Sequence, residues 1–130
     1  MQAFTGDYAT AFNKRHGRIG HLFQGRFGSE LVEEDTYLVT VSRYIVLNPV
    51  DAKMVSQPAE WRWSSYRATA GLIRRPAWLQ TEEILRHFHP RDPHAASRMY
   101  REFVTAGIGG APDPFENVVA GVYLGGEAFI

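Results

Sequence analysis

Residues 33–50 read EEDTYLVTVSRYIVLNPV, and the rest of the chain is organised around them. The run opens on Glu33, Glu34 and Asp35, acids that suit the positive end of a helix dipole. Its apolar residues then recur at helical spacing, which predicts a helix to about Leu47. Pro49 disfavours helical geometry at Asn48, so the helix is expected to end there. At roughly 100° per residue, Tyr37, Val41, Tyr44 and Asn48 fall within about 60° of one another. Leu38 and Ile45 lie beside them as the expected core stripe. Tyr44 and Asn48 are thus an i,i+4 pair on one face. On spacing alone the ordinary reading is a tyrosine half-buried by its ring, with Asn48 as the helix C-cap.

On the N-terminal side, residues 2–13 predict a helix with Phe4, Tyr8, Ala11 and Phe12 at helical spacing, stopping in the cations and glycine of 14–18. Residues 21–33 look extended, and Gly25 and Gly28 inside them suggest a bulge or a close backbone approach. On the C-terminal side Ser64 is placed to cap a short helix to Ala70. Thr81 starts another helix that Pro90 terminates. A third, from about His94 to Thr105, should turn Ala95, Met99 and Phe103 or Val104 inward. Residues 107–114 read as a linker, and 114–124 as a final helix. Tyr8, Tyr37 and Tyr100 sit at core spacing. Both ends, Met1 and the apolar 127–130, look cut, which predicts exposed apolar edges and self-association.

The chain has 130 residues, enough for one small domain or part of a larger one. No stretch approaches the roughly 20 apolar residues of a membrane span, so no membrane partner is expected. The absence of Cys excludes disulfide scaffolds and Cys-ligated zinc and fits a cytoplasmic location. Fourteen basic residues balance 14 acidic ones, but unevenly: the basic surplus lies in residues 1–75 and the acidic surplus in 76–130. Lys14, Arg15, Arg18 and Arg26, interleaved with His16, His21 and Gln24, form a basic front that suits a polyanion.

Four motifs occur in order: FNKRHGR at 12–18, GHLFQGRF at 20–27, SRYIVLNPV at 42–50 and WSSY at 63–66. Together they resemble the REP-associated tyrosine transposases, a branch of the insertion-sequence-200-like, single-tyrosine HUH transposases. The resemblance is strong over residues 1–90, the C-terminal part of the family domain, and looser over 91–130. That tail is similar to a helical extension leading towards a helix-turn-helix domain.

The resemblance implies an α+β fold built on a ferredoxin-like sheet, here a mostly helical portion with one or two extended segments. It implies cleavage and strand transfer of single-stranded or hairpin DNA from palindromic repeats. Tyr44 matches the family's nucleophile, which leaves a 5′-phosphotyrosine and a free 3′-OH. A phenol with an ordinary pKa near 10 needs activation for that attack. The family supplies Mg²⁺ or Mn²⁺ held by a His-hydrophobe-His strand, and Asn48 matches a further ligand one helical turn after the tyrosine. That strand would precede all the motifs here, so the chain by itself is expected to bind no metal and to be inactive. His87-Phe88-His89 is no substitute, because residues i and i+2 on a helix point about 200° apart. The resemblance also casts Lys14, Arg15, His16, Arg18, His21, Gln24 and Arg26 as DNA contacts, with Arg43 and Arg62 extending the patch. Trp61, Trp63 and Tyr66 could stack on unpaired bases, although packing is favoured for at least one Trp. A DNA-binding module without catalysis is the alternative reading; a purely structural domain is the other.

Overall fold

A computed structural model describes residues 1–25, 28, 29, 31–118, 123 and 124, with 34–36, 117 and 123 as backbone only. The chain divides into two compact units, Met1–Glu30 and Leu31–Ile130. The described residues are mostly helical.

In the first unit α1 spans Gln2–His16, one turn longer than the spacing predicted. Gly17 stops it in the left-handed region (φ 59°), and the Arg18 N–H donates to the Asn13 carbonyl at 2.9 Å. This cap closes the helix because glycine alone enters that region without a Cβ penalty. The aromatic face of α1 is not a core: Phe4 is 69% and Tyr8 52% exposed. A Cβ at Gly25 would meet nothing within 4 Å, so the expected close approach is not found there.

The second unit is built on α2, Glu34–Asp51. Preceding it, β1 (Leu31–Val32) pairs in parallel with β2 (Tyr123–Leu124), with Leu31 opposite Tyr123 and Val32 opposite Leu124. Of the extended segment predicted for 21–33 only Leu31–Val32 forms a strand; residues 22–25 bend, and Arg26, Phe27 and Glu30 lie outside the described residues. This short ladder is the sheet among the described residues; no ferredoxin-like sheet is present in them.

Contrary to expectation, α2 runs through Pro49. Proline cannot give an N–H to the Ile45 carbonyl, but only the last turn is affected. The carbonyls of that turn find later donors: Asn48 accepts from Ala52 at 2.9 Å, Pro49 from Met54 at 2.9 Å and Val50 from Lys53 at 2.8 Å. Pro49 is itself buried, which offsets the lost bond. Asn48 is therefore not the C-cap; Ala52 is.

The core stripe of α2 is also rotated from the predicted one. Val46 and Leu47 are buried, whereas Ile45 is 57% exposed. The remainder of the core comes from two short elements and one longer helix. α3 (Tyr66–Thr69) contributes Tyr66; its N-cap is Ser65, one residue after the expected Ser64, whose Oγ accepts the Tyr66 N–H at 3.0 Å. α4 (Glu82–Arg86) leads into Phe88, whose ring meets Tyr100 at 5.6 Å and Phe103 at 5.4 Å between centroids. α5 (Pro93–Thr105) has Pro93 in its first turn, and Asp92 Oδ1 accepts from His94 at 2.9 Å and Ala95 at 3.1 Å. Its inward residues are Ala96, Tyr100 and Val104, one position on from the predicted Ala95 and Met99. α5 lies in the 91–130 extension by sequence, yet it packs on α2 within this unit.

Tyr100 is 1% exposed, and burial pushes its phenol up to about 12. The hydroxyl bonds to Ser42, which in turn donates to the Val39 carbonyl at 2.7 Å. The folded pKa is raised above the unfolded value near 10, so this contribution is full below pH 10 and is lost as pH climbs through 12. Alkaline titration by circular dichroism should therefore show a loss of about 2–3 kcal/mol across that interval. The same loss should be absent in Tyr100→Phe.

The segment after α5 is no loose linker. Gly107 is buried, and a Cβ there would lie 2.8 Å from Arg43 Cδ and 3.0 Å from Leu47 Cδ1. Gly107→Ala should destabilise the unit by about 1–3 kcal/mol through overpacking, measured by urea unfolding. The helix predicted for 114–124 is instead a 3₁₀ turn, Pro114–Asn117, with Asp113 Oδ1 accepting from Phe115 at 2.8 Å. Val118 is extended, as a β-branched residue favours. Residues 119–122 and 125–130 lie outside the described residues.

Candidate functional site

The geometry around Tyr44 follows from the rotated stripe of α2. Val41, Val46, Leu47 and Pro49 are buried, Ile45 and Asn48 are exposed, and Tyr44 lies between the two groups. Tyr44 is half-buried, and the Phe115 ring stands edge-on to it with centroids 5.3 Å apart. Such an edge contact holds the phenol ring without occupying its hydroxyl. Asn48 is exposed one turn further along. Asp51, also exposed, falls within about 60° of both by helical arithmetic.

The basic front is assembled in the first unit. Lys14, Arg15 and His16 occupy the last turn of α1, where the negative end of the helix dipole favours cations. The His16 ring rests on Phe12 at 4.4 Å between centroids. After Gly17 the chain turns back: Asn13 Nδ2 donates to the Gly20 carbonyl at 2.9 Å. The returning residues His21 and Gln24 line one side of an open groove of about 1030 Å³, and Thr5, Ala9 and Asn13 line the other. Lys14, Arg15, His16, Arg18, His21 and Gln24 are all solvent-exposed except where ring or groove contacts shade them. Arg26 lies outside the described residues.

Arg43 and Arg62 belong to the second unit and do not share a surface with each other's partners. Arg43 lies over the Phe103 ring, 4.2 Å from its centroid, and against Gly107. It is a packing cation, roughly 100° around α2 from Tyr44. Arg62 lies 4.4 Å over the ring of Trp63, which is 73% exposed. Trp61 is half-buried and Tyr66 is in the core, so only Trp63 of the three presents an open ring face. His87 and His89 are exposed, and His89 Nδ1 accepts the Asp92 N–H at 2.9 Å.

No family model, curated protein or solved structure matches this chain.

Among the described residues no group of three or more His, Asp or Glu side chains is placed to hold an ion. Beside Tyr44 on α2 the hard donors are the Asn48 amide and the Asp51 carboxylate. Phe115 had no signal in the sequence as a partner of Tyr44, because it was expected in a helix. Asp51 was legible: it is three residues beyond Asn48 on the same helical face, hidden only by the expectation that α2 stops at Pro49.

Proposed function

We propose that this chain is a tyrosine transposase-like module that binds single-stranded or hairpin DNA, with Tyr44 as the group that attacks the phosphodiester. The observation that carries the reading is the ordered series of four motifs, together with Tyr44 and Asn48 one turn apart on one face of α2. In the reaction the Tyr44 hydroxyl releases its proton as its oxygen bonds to phosphorus, and the bond to the 3′ oxygen breaks. The DNA keeps a 5′-phosphotyrosine link, and the departing 3′ oxygen takes up a proton. The resemblance further implies a ferredoxin-like sheet in the whole domain and work in the cytoplasm. The exposure of Ile45 beside Tyr44 supports an apolar partner surface there.

Binding without cleavage, by an inactive module or a transposase remnant, is the second reading, and the exposed cations of the first unit suit it without any role for Tyr44. Both readings require a labelled hairpin oligonucleotide to bind with an affinity that falls steeply between about 50 and 200 mM salt. A covalent adduct that survives denaturation decides between them. No oligonucleotide binding at all would sink both.

A further inference from the structure

The outer face of α5 carries charge that the Tyr44 reading leaves unused. Ala96, Tyr100 and Val104 turn into the core. At roughly 100° per residue, His94, Arg98, Arg101 and Thr105 fall within about 60° of one another on the side turned away from it, and all four are exposed. Arg98, Arg101, Glu102 and Thr105 line an open groove of about 540 Å³.

Two guanidiniums stand ready at this groove. Among the described residues no carboxylate lies within ion-pair distance of either, although the i,i+4 spacing would let Glu102 pair with Arg98. Arginine stays charged at any ordinary pH and presents a planar fork that fits phosphate oxygens. The stripe holds no aromatic or aliphatic anchor of the kind that dominates protein interfaces. The apolar side of α5 is consumed by the core, so the helix has none to lay into a lipid surface.

We propose that Arg98 and Arg101 form a phosphate-contact site for a nucleic-acid strand on the outer face of α5, which rests on the DNA reading above. Glu102 opposes the anion at one edge of the groove, so its charge limits affinity at this site.

The test is fluorescence-anisotropy titration of the full chain with labelled single-stranded and hairpin oligonucleotides from about 50 to 200 mM salt. Removing two single-strand phosphate contacts, as in Arg98→Ala with Arg101→Ala, should reduce the log–log salt slope by about 1.4 and weaken binding about 25-fold at 0.1 M salt. Replacing both by Lys should keep the slope, and Glu102→Gln should tighten binding. Unchanged circular dichroism melts would show that the double variant is folded. A wild-type slope and affinity in the folded double alanine variant would overturn this site and leave the DNA reading standing. Absence of oligonucleotide binding by the wild type would overturn both. Equal Arg-dependent binding to anionic phospholipid vesicles would overturn the assignment to nucleic acid.

Discussion

Tyr100→Ala is expected to cost the second unit about 3–5 kcal/mol, a large part of the stability of a domain this size. The side chain is 1% exposed at the centre of a cluster that includes Val46, Leu47, Tyr66, Ala70 and Val104. Its ring meets Tyr66 at 6.1 Å and Phe88 at 5.6 Å, joining α3, the α4–α5 connection and α5. Its hydroxyl joins α5 to α2 through Ser42. Truncation therefore leaves a cavity at the meeting point of four elements. Urea unfolding followed by circular dichroism measures the loss. Tyr100→Phe keeps the ring and should cost only about 1 kcal/mol, the net worth of one hydrogen bond. Equal losses in the two variants would mean that the hydroxyl network, not the ring, organises this core.

The second large effect is chemical. Tyr44→Phe should eliminate any covalent protein–DNA adduct while leaving stability and oligonucleotide affinity near wild type. Phenylalanine preserves the half-buried ring and its edge contact with Phe115 at 5.3 Å, and it removes only the oxygen. The assay is a denaturing gel of the labelled hairpin oligonucleotide incubated with protein and Mn²⁺. An adduct that persists in the variant assigns the nucleophile elsewhere. If the wild type binds oligonucleotide and forms no adduct, the binding-only reading stands. A large loss of thermal stability in Tyr44→Phe would instead identify the hydroxyl as a structural group.

The helices were legible because each carries local stop and start signals. Gly17 closes α1, Ser64 accepts the Tyr66 N–H at the start of α3, and Asp92 with Pro93 opens α5. What was misread is which side of each helix faces inward. Ile45 and Met99 looked like core residues, yet they are 57% and 40% exposed. Periodicity fixes the angle between residues on a helix but not the direction of the stripe when apolar residues surround it. In α2, where Val39, Val41, Ile45, Val46 and Leu47 span most of the circumference, only the neighbouring elements choose the buried side. The same choice exposed Ile45 and seated Arg43 over Phe103.

The prediction for 114–124 failed for a related reason. Local pattern allowed a helix, but β2 exists because Leu31 and Val32 offer a parallel edge, and Leu124 is fully buried beside them. A strand pairing between residues so far apart has no local signature.

The sequence by itself determined where α1, α2 and α5 begin, the cation-rich end of α1, the i,i+4 relation of Tyr44 to Asn48 and the motif series behind the DNA reading. Those features depend on local geometry: a rise and turn per residue, a cap, a glycine with positive φ. Only the tertiary structure decided that α2 passes through Pro49, that Phe115 flanks Tyr44 and that Arg98 and Arg101 share an open groove. Each of these depends on what a neighbouring element buries or pairs, and burial is a property of the assembled unit.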